Sequence, residues 1–109
     1  MLKEEKAEVK KLCEYLKSLG LFYYAIPAIP FNPRFGGIPI GYKKGMPDIC
    51  VPLYKLYFEM KTIKAGKVKA HEENQFKIHE QLRKSGCKVF RCEGFEVAKN
   101  IVDTLFFNP

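Results

Sequence analysis

A chain of 109 residues and 12.6 kDa with 47% hydrophobic residues can bury one modest core and is too short for two, so a single domain over 1–109 is expected. Its net charge of +7 and pI near 9.3 favour a polyanionic partner, a property that enzymes, ribosomal proteins and simple DNA-binding modules share. Cys13, Cys50, Cys87 and Cys92 form no C-x-x-C pair and meet no paired histidines, which argues against structural zinc and for four reduced thiols.

The opening MLKEEKAEVKK alternates charges and lacks the apolar centre of a secretory signal. From about Lys3 to Leu19 the residues Val9, Leu12, Cys13, Leu16 and Leu19, with Leu2 before them, recur at helical spacing up to a stop at Gly20. At roughly 100° per residue Glu5 falls inside that apolar arc, Glu8 at its edge, and Glu4 and Glu14 outside it. A carboxylate in the first turn suits the helix dipole; one inside the apolar arc is also placed to serve a site under the helix. Glu5 and Glu8 compete for that second role.

From Leu21 to Gly45, proline and glycine punctuate the chain: FYYAI reads as a strand and NPRFGGIPIGYKKG as a long loop. The apolar run from Leu19 to Phe31 is broken by Pro27 and Pro30, so no membrane segment is expected and the location reads as cytoplasmic. The loop carries Arg34, Lys43 and Lys44 among Phe35 and Tyr42, a mixture suited to gripping phosphates with some stacking, or to an ordinary solvated loop.

The next segment, GMPDICVPLYKLYFEMK, carries the chemistry. Val, Leu, Tyr and Phe dominate Ile49 to Phe58, which predicts two short strands joined by a turn near Pro52 to Lys55. Alternation sends Tyr57, Glu59 and Lys61 to one face and Leu56, Phe58 and Met60 to the other, toward the core. A turn centred between Leu53 and Tyr54 sets Asp48 opposite Glu59. Two facing carboxylates destabilise a sheet unless something neutralises them, and a hard divalent cation such as Mg²⁺ or Mn²⁺ does so. The backbone carbonyl of Met60, between the two side-chain donors, is a further candidate ligand, and Lys61 sets an ammonium beside them.

Beyond Lys61, TIKAGKVKAHEEN is a basic turn with Lys64, Lys67 and Lys69, further candidates for phosphate contact. It leads into a helix from about His71 to Lys84, whose buried stripe holds Ile78, Leu82 and Gln75; His71 and His79 form no metal or HNH motif and read as exposed helix residues. A buried glutamine must find hydrogen-bond partners, which favours a site-facing role for Gln75. Cys87 to Cys92 reads as a strand after a stop at Gly86, and a last helix runs from about Gly94 to Leu105 on Val97, Ile101 and Leu105. The order is α-β-β-β-α-β-α, an α/β fold with a mixed sheet flanked by helices.

The Gly-x-Pro-Asp turn, the two apolar strands ending in Glu59-x-Lys61, and Gln75 on the helix that ends at Gly86 together resemble the PD-(D/E)xK nuclease superfamily, and are most similar to its VRR-NUC branch in stand-alone form. The resemblance covers the chain from about Glu5 to the final helix, with Asp48, Glu59, Lys61 and Gln75 as its motif-specific positions. It implies a restriction-endonuclease-like core and a Mg²⁺- or Mn²⁺-dependent DNA endonuclease. Asp48, Glu59, Lys61, Gln75 and Glu5 would be its catalytic residues; Asp48, Glu59, the Met60 carbonyl and possible ligand Glu5 would hold metal; Arg34, Lys43, Lys44, Lys64, Lys67 and Lys69 would contact DNA. It further implies a homodimer acting on branched DNA such as a Holliday junction, for which Phe106 and Phe107 offer apolar surface unless they fold onto their own core. A restriction-type or nicking enzyme on duplex DNA and a non-catalytic nucleic-acid-binding protein of the same fold are the alternatives.

Overall fold

A computed structural model describes residues 3–26, 41, 43–61 and 70–108. Helix α1 (Lys3–Ser18) forms on the predicted apolar stripe, with Leu12 and Leu16 buried beneath it. It ends where the N–H of Leu21 bonds back to the Leu16 carbonyl and that of Gly20 to Lys17, at 3.1 and 3.0 Å. The same pair of bonds, from Cys87 to Leu82 and from Gly86 to Arg83, both 3.0 Å, closes α2 (Ala70–Lys84). This terminator needs a left-handed residue after the last turn, and Gly86 supplies it at a φ of 90°.

Strands β1 (Tyr24–Ala25), β2 (Ile49–Val51), β3 (Leu56–Lys61) and β4 (Lys88–Glu93) form one sheet in that spatial order. β1 and β2 are antiparallel, as are β2 and β3, whereas β3 and β4 run parallel. The parallel pair is joined by α2, the crossover that parallel neighbours require. Between β2 and β3, Pro52–Tyr54 makes a single 3₁₀ turn and Lys55 takes a left-handed conformation, closed by its N–H on the Pro52 carbonyl at 3.0 Å. The pairing is Ile49 with Phe58, Cys50 with Tyr57 and Val51 with Leu56. That is the register expected from a turn centred between Leu53 and Tyr54.

The two faces of the sheet differ. On one, Ile49, Val51, Leu56, Phe58, Met60 and Cys92 pack with Leu12 and Leu16 of α1 and with Ala98 and Val102 of α3 (Phe95–Phe107). Full burial of each such side chain stabilises the fold by about 1.5–3 kcal/mol, and Phe58→Ala would cost about 3–5 kcal/mol because its cavity could not collapse. The other face, under α2, carries Glu59. Among the described residues the fold is thus a mixed α/β one, three helices on a four-stranded sheet, in the element order read from the sequence. The strand expected across FYYAI is only two residues long, and the last helix runs two residues further than expected, to Phe107. No helix among the described residues is long and apolar enough to cross a membrane. All four cysteines are free thiols, with Cys50 and Cys92 buried and Cys13 and Cys87 half-buried.

Candidate functional site

The candidate site lies where β2 begins and β3 ends. Asp48 directly precedes β2, its N–H donating to the Phe58 carbonyl at 2.8 Å, so the ladder continues one step and brings Asp48 to Glu59. The carboxylate of Asp48 then turns back on the neighbouring strand and its Oδ2 accepts the Met60 N–H at 2.7 Å. Because a strand residue presents its N–H and its carbonyl to the same edge, the Met60 carbonyl also faces the Asp48 side. Alternation puts Glu59 on the α2 face, opposite Phe58 and Met60, and that face is covered: Glu59 is only 2% exposed.

The electrostatics follow from this burial. The carboxyl of Asp48 is pushed up to about 8, first by desolvation, then by the Glu59 charge and a hydrogen bond shared with it; the Met60 N–H and the Lys61 ammonium pull the other way. Glu59 is also raised, mainly by desolvation, while the Asp48 bond and Lys61 lower it and Glu5 raises it further. Two acidic groups this close do not readily both ionise, so near neutrality the pair tends to retain a proton. Lys61, half-buried at the end of β3, carries a charge that favours the ionised form of both.

Glu5 is half-buried on α1, and its charge is a smaller influence that, after desolvation, raises the Glu59 pKa. Glu8, its competitor, instead lies 3.5 Å from Lys11 on its own helix. Gln75 is half-buried on α2. The loop ahead of Asp48 is docked to this helix: the Asn74 side-chain amide donates to the Lys44 carbonyl at 2.8 Å, and Gly45 sits against the backbone of Gln75. A Cβ added at Gly45 would lie 2.7 Å from Asn74 Nδ2 and 3.3 Å from the Gln75 backbone, and its φ of 94° disfavours any side chain. This glycine lets the Asp48 loop and the Gln75 helix touch. Lys43 and Lys44 are exposed on the same loop; Arg34, Lys64, Lys67 and Lys69 lie outside the described residues, as do Phe35 and Tyr42.

One expectation is overturned. His79 is not an exposed helix residue: it is 1% exposed and its Nε2 stands 3.6 Å from Glu59 Oε1. Burial and the surrounding Arg83, Arg91 and Lys61 charges lower its pKa, which works against an ion pair with Glu59. The signal was present in the sequence, since Gln75, Ile78, His79 and Leu82 follow the i, i+3, i+4, i+7 rule of one helix face. Arg91 was also missed. It pairs with Glu59 across the parallel register, bonds Glu72 at 2.9 Å and lies over the Phe76 ring, its guanidinium carbon 5.6 Å from the centroid.

The donors suit a hard divalent cation: two adjacent carboxylates, a carbonyl on the same edge, and a buried Glu59 oxygen with no hydrogen-bond partner among the described residues. No group of three or more His, Cys, Asp or Glu among the described residues is gathered closely enough to hold an ion alone. Waters and substrate oxygens would complete the shell, as they commonly do for Mg²⁺. Comparison with family models, curated proteins and solved structures finds no match to this chain.

Proposed function

We propose that the protein is a Mg²⁺- or Mn²⁺-dependent DNA endonuclease with a restriction-endonuclease-like core of the VRR-NUC type. The observation that carries this reading is the buried Asp48–Glu59 pair beside Lys61, an arrangement that costs stability in the bare protein and is relieved by a cation. A bound divalent ion supplies Lewis acidity toward a phosphoryl oxygen and makes water a stronger nucleophile. Asp48, Glu59 and the Met60 carbonyl would hold it, and Glu5 would add negative potential from α1. The Lys61 ammonium positions the attacking water and balances charge developing on the phosphate. Gln75 orients Lys61 or that water from α2. Lys43 and Lys44 are exposed beside the Asp48 loop, where they suit phosphate contacts, and Arg34, Lys64, Lys67 and Lys69 belong to the same reading on sequence alone. A protein that only bound DNA would gain nothing from two adjacent acidic groups at the edge of a basic surface.

The preferred substrate on this reading is branched DNA cut by a homodimer, because resolving a four-way junction takes two sites related by a two-fold axis. Phe106 packs against the protomer's own core, which leaves Phe107, 61% exposed, as the apolar contribution to a partner. The test is cleavage of plasmid, linear duplex and four-way junction with Mg²⁺, Mn²⁺ or EDTA, alongside light scattering. Cleavage is expected only with metal and most readily at the junction, from a particle of about twice the chain mass. Activity that persists in EDTA removes the metal mechanism; a monomer without junction preference reduces the reading to a nicking enzyme on duplex DNA.

A further inference from the structure

His79 Nε2 and Glu59 Oε1 face each other from α2 and β3, both fully enclosed and both without a hydrogen-bond partner among the described residues. Leaving a buried polar atom without a hydrogen-bond partner costs stability, and here two such atoms share one gap. At 3.6 Å the atoms are too far apart for a hydrogen bond. Two donors that each bind an ion at about 2.1 Å stand roughly 3.0 to 3.5 Å apart, according to the angle between them, so a small inward shift would bring this pair to that spacing. The ring is also held: Phe76 meets it edge to face, centroids 6.4 Å apart at 87°.

The geometry points to His79 as a nitrogen ligand that shares with Glu59 the divalent cation of the proposed nuclease site, biasing that site toward Mn²⁺ over Mg²⁺. The inference rests on the metal-dependent reading above and adds to it the choice of ion. Imidazole nitrogen suits transition metals, whereas Mg²⁺ prefers oxygen donors and keeps its waters. Gln75, one turn earlier on the same stripe, would then face the substrate side, and His79 the deeper side beside Glu59.

The test is pulsed electron paramagnetic resonance of Mn²⁺ bound to the full chain, with and without ¹⁵N-histidine labelling. The expected result is a directly bound nitrogen whose coupling changes on labelling, disappears in His79→Gln and persists in His71→Gln. By calorimetry, His79→Gln should weaken Mn²⁺ binding roughly tenfold or more while Mg²⁺ binding changes far less. Should His79→Gln fail to fold, His79→Asn and the labelled unmutated chain carry the test. Mn²⁺ bound through oxygens alone, in a manner that still depends on Glu59, overturns the imidazole ligand and leaves the nuclease reading standing. No Mn²⁺ binding overturns both.

Discussion

Two polar clusters in this molecule each centre on carboxylates and treat their charges in opposite ways. Between α1 and α3, the Tyr15 hydroxyl donates to Asp103 Oδ1 while Lys99 donates to Oδ2 at 2.9 Å and lies over the Tyr15 ring, 5.1 Å from its centroid. Every partner there is complementary, and hydrogen bonds from Tyr15 and Lys99 lower the Asp103 pKa. In the Asp48, Glu59 and His79 cluster the carboxylate pKa values are raised, that of the imidazole is lowered, and two buried atoms face each other without a hydrogen-bond partner among the described residues. A surface cluster of the first kind ties helices together. The second kind leaves buried polar atoms without hydrogen-bond partners among the described residues, at a cost in stability that the first does not carry.

The largest contrast should appear in cleavage. Asp48→Asn and Glu59→Gln should each lower the rate more than about a hundredfold in Mg²⁺ or Mn²⁺ while binding DNA as well as the parent or slightly better. Lys61→Ala should cripple turnover with metal affinity nearly unchanged. Full activity of Glu59→Gln would remove the catalytic assignment, and circular dichroism must show that each variant is folded.

Opposite pH responses of stability should follow in the metal-free protein. Asp48 has a folded pKa near 8 against about 3.9 unfolded, so its contribution is complete below pH 4 and is lost as pH rises toward 8. Asp103 is depressed, so its contribution is present above about pH 4 and is lost as pH falls below its folded pKa. Urea titrations in EDTA should show stability falling between pH 4 and 8, with that slope flattened in Asp48→Asn and, with the chelator replaced by Mn²⁺, offset. A slope unchanged in Asp48→Asn would contradict the buried-pair account.

Gly45→Ala should destabilise the protein by about 1–3 kcal/mol, through its positive φ and the contact with Asn74, and should lower activity by separating the Asp48 loop from Gln75. Unchanged urea midpoint and activity would show that the contact does not matter. Smaller still, Glu5→Gln should reduce cleavage more than Glu4→Gln or Glu14→Gln, and equal effects would return Glu5 to a helix-dipole role. The smallest effect belongs to the surface cluster: Tyr15→Phe should lower the melting temperature slightly and leave cleavage unchanged.

Much of this arrangement is local and therefore legible in the sequence. Period-2 alternation separates Glu59 from Phe58 and Met60, turn chemistry at Pro52 to Lys55 sets the register that brings Asp48 to Glu59, and glycines 20 and 86 end two helices. The prolines and basic residues around the long loop announce composition without position, and no spacing rule turns them into a surface. What the sequence alone could not decide is which side chains the parallel crossover presses together. Before α2 is laid on the sheet, His79 is one polar residue on a mixed helix stripe and Arg91 one charge on an edge strand. Afterwards they stand over Glu59, because the β3–β4 register pairs Glu59 with Arg91 and the helix buries His79 against the same carboxylate. Burial is a property of the assembled layers, and the pKa of Asp48 follows from burial first, so the tertiary structure alone converts two legible carboxylates into a pair that holds a proton in the absence of metal.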